Sequence, residues 1–411
     1  MNMRKEGSFV VVALLAANVF ASGFGLYEAS SPVYALGGAV IGRAYDASAN
    51  FFNPATLSDL TNITVTLGCM TEHPRGRMKT DKPDGRTTSM DPGVFFLPHF
   101  HLAVPLPWDF TFGLGVMPEY GLGSEYADAW DLNFNSIDTT VMSFTVNPNL
   151  AYRITEKWSV GAGLRFLFFD FEQHSIPVPE PEVRQRLKGD NNMEDLGWQI
   201  GTKYDLLDNL AVGLVYKSKT DVHVSGKSDP SGYEGLPPMN AAQFAAIDGP
   251  ARTKLELPQS ITFGCNWDIT KTWHLGAMVA WTDWSSIDTL DFRLNKVTKP
   301  IKLKWEDTWR FGIAPSWDFA ENWTALASYV FETDCCGDQD STMLPPSERH
   351  MISSGLVWHF TENLDFGLTY GLVLMDGEMS DCTNTSTGKT YHYSAHRALS
   401  HAAGFTVTYR F

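Results

Sequence analysis

Beyond about residue 62 the chain is written in a two-residue period. From Trp158 to Phe168 the even positions hold Trp158, Val160, Ala162, Leu164, Phe166 and Phe168, while the odd positions include Ser159, Gly161, Gly163 and Arg165. Successive side chains of a strand point to opposite faces, so this segment has one greasy face and one mixed face. Leu364, Phe366, Leu368, Tyr370, Leu372 and Leu374 alternate in the same way with Asp365, Gly367, Thr369 and Gly371, and Phe405, Val407, Tyr409 and Phe411 alternate with Thr406, Thr408 and Arg410. The alternation predicts fourteen strands, near 63–72, 93–106, 110–118, 139–154, 157–171, 195–206, 209–225, 253–268, 272–287, 301–319, 322–333, 348–360, 363–375 and 395–411.

The connections carry a second pattern. Tight turns at Pro107-Trp108-Asp109, Thr155-Glu156-Lys157, Leu207-Asp208, Ile269-Thr270-Lys271, Ala320-Glu321 and Thr361-Glu362 alternate with long polar stretches at about 73–92, 119–138, 172–194, 226–252, 288–300, 334–347 and 376–394. A water-soluble sandwich has no reason to sort short turns to one end and long loops to the other; a transmembrane barrel does so by construction. Backbone polar groups in lipid must be paired internally, so a sheet spans only if it closes, and an even strand number leaves both chain ends on the periplasmic side. A lipocalin-like barrel needs only eight strands with its greasy face inward, and a propeller would show a blade repeat that is not found. The expected fold is therefore all-β, a fourteen-stranded antiparallel transmembrane β-barrel. Trp158, Trp267, Trp273, Trp317, Trp323 and Trp358 fall next to the tight turns, where a periplasmic aromatic girdle belongs.

Composition agrees. The 411 residues are 44% hydrophobic and only 19% charged, which excludes a disordered chain, and no long uncharged apolar run follows residue 21 to make a helical bundle. A net charge of −16 argues against nucleic acid as a partner. Arg4 and Lys5, an apolar run from Phe9 to Ala17, and small residues before the end of Val19-Phe20-Ala21 read as a secretory signal over 1–21. The 5 cysteines (Cys69, Cys265, Cys335, Cys336, Cys382) lie beyond it, and export permits disulfides: either Cys335 or Cys336 pairs with Cys382, or the thiols stay free or mixed. The 11 His are scattered and no CxxC exists, so neither a metal site nor a cofactor is expected.

Residues 22–62 do not alternate. They run from Gly23-Phe24-Gly25-Leu26-Tyr27-Glu28 through a small-residue stretch, Leu36-Gly37-Gly38-Ala39-Val40-Ile41-Gly42-Arg43-Ala44, to Asp46-Ala47-Ser48-Ala49-Asn50-Phe51-Phe52-Asn53-Pro54-Ala55-Thr56-Leu57. A fourteen-stranded barrel is wide enough for this segment either to plug the lumen or to hang outside as a periplasmic extension. On Gly23-Phe24-Gly25-Leu26, the Gly42-Arg43-Ala44 to Phe51-Phe52-Asn53-Pro54-Ala55 block, Ala151-Tyr152-Arg153 with Val160-Gly161-Ala162-Gly163, and Leu257-Pro258-Gln259-Ser260 with Trp281-Thr282-Asp283-Trp284, the sequence resembles the FadL-type long-chain fatty acid and hydrocarbon transporters of Gram-negative outer membranes. The resemblance implies a mostly helical N-terminal hatch over 22–62 inside a barrel over 63–411. It also implies passive uptake of hydrophobic molecules by a monomer set among outer-membrane lipids and lipopolysaccharide.

It further implies residue roles. Phe24 would reach into the bound ligand, helped by Leu26 and Tyr27. Asn53, Pro54 and Ala55 would position the gate, Asn53 by bonding the hatch to the wall and Pro54 by ending its last helix. The family's third strand is kinked to make a sideways exit. Here it reads Phe112-Gly113-Leu114-Gly115-Val116-Met117-Pro118, so the break is expected at Gly113, Gly115 and Pro118. Leu236, Met239, Phe244, Ala245, Ala246 and Ile247 form either an outer apolar patch or amphipathic helix resembling the family's groove, or simply packing for their loop. By parity Arg165 and Arg310 face the lumen, where each needs an anion: a fatty acid carboxylate, or a lumenal Asp or Glu such as Glu306. Two alternatives remain: a general diffusion porin, which would lack a plug, and a lipid hydrolase built on Ser394, His396, Ser400 and His401, for which no GxSxG elbow exists.

Overall fold

The structure is a computed structural model that describes residues 23–81, 87–179, 182–191, 195–335, 348–376, 379–384 and 389–411; the signal segment lies outside them. Among the described residues a ring of fourteen antiparallel strands closes on itself. They are β1 (Thr64–Thr80), β2 (Phe95–Pro105), β3 (Phe110–Met117), β4 (Asp138–Arg153), β5 (Trp158–Pro179), β6 (Leu196–Leu207) and β7 (Leu210–Lys217). The ring continues through β8 (Ser260–Asp268), β9 (Trp273–Thr282), β10 (Thr308–Ala320), β11 (Trp323–Glu332), β12 (Glu348–Thr361), β13 (Leu364–Asp376) and β14 (Lys389–Arg410). Each pairs with the next, and β14 returns to β1 with Thr64 opposite Arg410.

Parity governs the wall. Leu164 and Phe166 are exposed outward while Arg165 is buried inward, and on β10 Trp309, Phe311 and Ile313 stand out while Arg310 points in. The Trp pairs near the short turns stack across strands, Trp273 on Trp317 at 5.2 Å and Trp323 on Trp358 at 5.7 Å. At the β2–β3 hairpin Trp108 and Asp109 both adopt left-handed φ, 63° and 61°, the turn geometry whose twist matches the flanking strands.

The long connections are more ordered than their polar composition predicts. Stretches 172–194, 226–252 and 288–300 were expected as loops, but β5 runs on to Pro179 and the chain adds strands Glu182–Asn191, Thr220–Ser231, Gly249–Leu257, Thr289–Leu294 and Val297–Lys302. These pair in succession into a shelf that extends from the upper half of β5. The expected strands 209–225 and 253–268 are each split in two, because the chain leaves the ring for the shelf at Ser218 and returns after Pro258, which has no ladder donor.

The hatch occupies the lumen. It holds two short helices, α1 (Ser31–Ala35) and α2 (Ala49–Phe52), and a 3₁₀ turn, Pro54–Asp59. Val33, Tyr34, Leu36, Ile41, Phe51 and Phe52 form one buried cluster with Met70, Met278, Leu326 and Met351 of the wall. Pro54 does not only end α2; it also opens the 3₁₀ turn, with the Asn53 side chain accepting from the Ala55 N–H at 3.0 Å as its cap.

Polar side chains fasten the hatch. Asn53 Nδ2 donates to the Ile41 carbonyl at 2.7 Å within the hatch and to the Thr202 carbonyl of β6 at 3.1 Å. The Ser31 N–H donates to Thr406 Oγ1 at 2.9 Å and its hydroxyl to Thr369 Oγ1 at 2.9 Å. Arg43 pairs with Asp268 and Lys203 with Asp59. Gly201 lies beneath Asn53, and a Cβ there would collide with Asn53 Oδ1. Gly201→Val is therefore expected to leave the barrel heat-modifiable on gels while weakening the hatch seat by about 1–3 kcal/mol, seen as faster protease cleavage within the hatch. Unaltered cleavage would mean that Asn53 does not hold the seat.

Candidate functional site

The site begins where β3 stops. From Phe110 to Met117 the strand is paired on both sides, to β2 as far as Val116 opposite Phe100 and to β4 as far as Met117 opposite Thr145. Pro118 has no N–H to continue the ladder, and regular pairing with β4 resumes only at Gly121 opposite Met142. Gly113 and Gly115 are thus not the break. They lie within continuous pairing and leave room for the hatch: a Cβ on Gly113 would collide with Asn50 Oδ1. Across the interruption, residues Phe95–His99 of β2 pair with β1 but, among the described residues, have no partner on the β3 side.

The hatch supplies the missing hydrogen bonds from inside. The Leu26 N–H donates to the Glu119 carbonyl at 2.8 Å, the Gly121 N–H to the Phe24 carbonyl at 2.9 Å, and Gly25 bridges Tyr120. The Tyr120 N–H donates to Ser143 Oγ at 2.9 Å. Residues 24–26 thus act as a short strand laid against the interruption.

Beside it lies a cavity of about 230 Å³. Leu26, Phe95, Leu97, Tyr120, Val141 and Met351 supply much of its apolar lining, and Tyr27, Glu28, Glu72, Arg310 and Arg349 stand on its polar side. Phe96 also lines it and is 70% exposed on the outer wall, so the cavity reaches the barrel's outer face at the gap between β2 and β3. Glu72 accepts from the hydroxyls of Tyr34 and Ser400, and Arg349 donates to the Gly23 carbonyl at 3.0 Å.

The residues singled out from sequence separate. Leu26 and Tyr27 line the cavity, whereas Phe24 does not. Its ring is buried in an aromatic cage, 5.8 Å from Tyr120, 5.3 Å from Trp284 and 6.0 Å from Trp305, which satisfies its apolar surface without a ligand. Arg165 is saturated by Glu119, at 2.7 Å from Nη2 and 3.2 Å from Nε, and by the Ser218 carbonyl at 3.1 Å. Arg310 lines the cavity and pairs with Glu332 at 3.1 Å. The lumenal anions are thus Glu119 and Glu332; Glu306 is exposed.

The expected outer patch is divided between packing and exposure, with no residue of its helix fully buried and Ala245 exposed. Leu236 is buried, and helix α3 (Pro238–Ile247) stacks Phe244 on Tyr233 at 6.2 Å and sets Ile247 against the upper cluster, leaving Met239 exposed. Cys335 is buried in that upper cluster and Cys382 in a separate one; Cys336 lies outside the described residues. Ser400 is held by Glu72 and His401 bonds Tyr370 at 2.7 Å, so these two do not face a common site; the His396 side chain is outside the described residues. Among the described residues no group of three or more His, Cys, Asp or Glu is placed to hold a metal.

Sequence reasoning missed Glu119 and Tyr120, assigned to a loop, and the buried pair His99 and His101, whose rings lie 6.1 Å apart. His101 bonds the Ala29 carbonyl at 2.7 Å and so seats the hatch. The alternation His99-Phe100-His101-Leu102 was the available signal, since it turns both imidazoles inward.

A closed barrel with a greasy outer face, plugged from within by its own N-terminus, is a transport barrel of the outer membrane. The chain belongs to the outer membrane protein transport family (OMPP1/FadL/TodX), whose profile matches residues 12–411. It is 24% identical over 404 residues to a long-chain fatty acid transport protein of Salmonella typhi, covering 89% of this chain and 91% of that one. It is 23% identical over 310 residues to outer membrane protein P1 of Haemophilus influenzae, covering 68% and 66%. In fold it resembles a Pseudomonas aeruginosa FadL homologue (TM-score 0.83, 18% identity, 95% of this chain and 100% of that one) and the Pseudomonas putida toluene transporter TodX (0.69, 16%, 93% and 98%). The protein is an outer-membrane protein of the Gram-negative type.

Removing one partner of a buried ion pair strands the other charge. Arg165→Met leaves Glu119 with Lys217 at 3.5 Å, and is expected to cost about 3 kcal/mol, lowering the urea midpoint of tryptophan fluorescence. Adding Glu119→Leu together with Lys217→Met, so that no buried charge is left alone, should recover most of that loss; a triple variant no more stable than Arg165→Met would show that the three charges are not the unit.

Proposed function

We propose that the protein is a passive channel for hydrophobic molecules, long-chain fatty acids or hydrocarbons, which enter from the outer loops, rest in the cavity beside the β3 interruption, and leave sideways into the membrane between β2 and β3. The observation that carries this reading is the union of three features at one place: an apolar cavity, an interrupted ladder, and a hatch strand that satisfies the interruption from inside. A solute that leaves through the wall never needs to shed its apolar environment for water. A water-filled porin lumen is disfavoured by the hatch, whose apolar residues are buried against the wall inside the barrel.

The names of the relatives, a fatty acid transporter and a toluene transporter, support both cargo classes. In this reading the protein acts as a monomer surrounded by outer-membrane lipids and lipopolysaccharide, without a cofactor. Asn53, Pro54 and Ala55 hold the hatch in register with the exit, through the bonds of Asn53 to Ile41 and Thr202. Leu26 lies against the exit, for a Cβ on Gly121 would stand 2.8 Å from its Cδ1.

Cells expressing the protein should take up radiolabelled toluene, radiolabelled oleate or both faster than cells without the barrel. Gly121→Trp, which fills the gap, should cut that uptake about tenfold at equal surface amount, a change of about 1.4 kcal/mol in the passage barrier. Uptake no faster than the barrel-free background, with folded protein in the membrane, would refute the transport reading for these solutes. Full uptake by Gly121→Trp would refute the sideways exit alone.

A further inference from the structure

A second cavity of about 50 Å³ lies deeper in the lumen, against β7, β8 and β9, with Ile41, Phe51, Val215, Lys217 and Met278 in its lining. It shares two lining residues with the larger cavity, Tyr27 and Arg310. The Arg310 guanidinium lies 3.8 Å from the centre of the Tyr27 ring, so the two side chains form one stacked layer with a cavity on each side. Arg310 is fixed from behind: Nη1 binds Glu332 at 3.1 Å, Nη2 donates to the Gly37 carbonyl at 3.4 Å, and the residue is 2% exposed. Tyr27 is only half-buried and is carried by the same hatch strand that covers the β3 interruption, so the ring is the less constrained half of the layer.

Size gives the layer a meaning. An apolar cavity of about 150 Å³ accommodates benzene, so one of about 230 Å³ holds a single substituted ring or a short chain, and not the full length of a long-chain fatty acid. A longer solute needs the deeper space, and the stacked layer stands between.

Building on the transport reading above, we infer that the Tyr27 ring stacked under Arg310 is a partition that sets cargo length: the protein takes compact hydrocarbons of about one ring in preference to long chains, and removing the ring joins the two cavities into one that crosses the barrel. The polar side of the outer cavity carries both signs of charge, Glu28, Glu72 and Glu332 with Arg310 and Arg349. Glu72 makes its bonds to two hydroxyls and Glu28 to the Tyr27 N–H at 2.7 Å, and neither has a cation within ion-pair distance among the described residues.

The test is the ratio of radiolabelled oleate uptake to radiolabelled toluene uptake, per amount of heat-modifiable barrel at the cell surface. The wild-type chain should favour toluene, and Tyr27→Ala should raise the ratio about tenfold. Tyr27→Phe, which keeps the ring, should hold the wild-type ratio. Met278→Trp added to Tyr27→Ala refills the inner cavity and should return the ratio to the wild-type value. If Tyr27→Ala does not reach the surface, Tyr27→Leu is read in its place. An unchanged ratio in the variant that reaches the surface, or a wild-type chain that takes oleate as readily as toluene, overturns the partition and leaves the channel standing. A wild-type chain that moves neither solute overturns both.

Discussion

In hydrocarbon every backbone N–H and C=O must find a partner within the protein, and the rest of this structure follows from that demand. It closes the ring, so that Thr64 lies opposite Arg410 and the unpaired edge, among the described residues, is confined to Phe95–His99 of β2. It also makes the interruption after Met117 informative. Pro118 cannot donate, and the next two residues leave the ladder with β4, yet their polar groups are not abandoned. They bond inward to residues 24–26 and to Ser143. A hole in the wall is thus compatible with lipid outside because the plug completes the wall from the lumen side.

Charge inside the barrel is organised around the same place. Glu119 takes part twice: its carbonyl accepts from Leu26, and its carboxylate binds Arg165, Lys217 and Thr145. The interruption is therefore anchored to β5 by a buried ion pair as well as to the hatch by backbone bonds. Elsewhere the hatch rests on the ion pairs of Arg43 with Asp268 and of Lys203 with Asp59 and, around Asn50, on neutral amides, with Asn149 and Gln199 donating to Asn50 at 3.0 and 2.7 Å. Neutral amides cost less to desolvate than ions, which suits a seat placed deep in the lumen.

Much of this was legible in the chain. The two-residue period, with turns sorted from loops, gave the strand number, the hairpin positions and the inward parity of Arg165 and Arg310. Loop order was not legible, because a strand that leaves the ring for the shelf alternates just as one that stays, and only Pro258 punctuates the change. Within the site, the family resemblance pointed to Leu26 and Tyr27, which line the cavity, but also to Phe24, which does not; a period of two could not separate them, because it carries no information about a segment that is not a regular strand. Gly113 and Gly115 looked like weak points of β3 because glycine weakens an isolated strand; here their missing side chains are filled by Asn50 and the ladder runs through them. Pairing partners, which decided each of these points, come from residues far away in sequence.

The seat of the hatch has a bearing on how the protein is assembled. Ser31, one of the first residues of the hatch, is bonded to Thr369 and Thr406, positions 338 and 375 residues later. Two of the strands that receive the plug, β13 and β14, are therefore the last in the chain, and β14 is also the strand that seals the ring against β1. Until it arrives, α1 has no complete socket and the sheet has two open edges; when it arrives, both are resolved together. Plugging by α1 and sealing of the ring thus draw on the same long-range contacts of β14, the kind that form slowly.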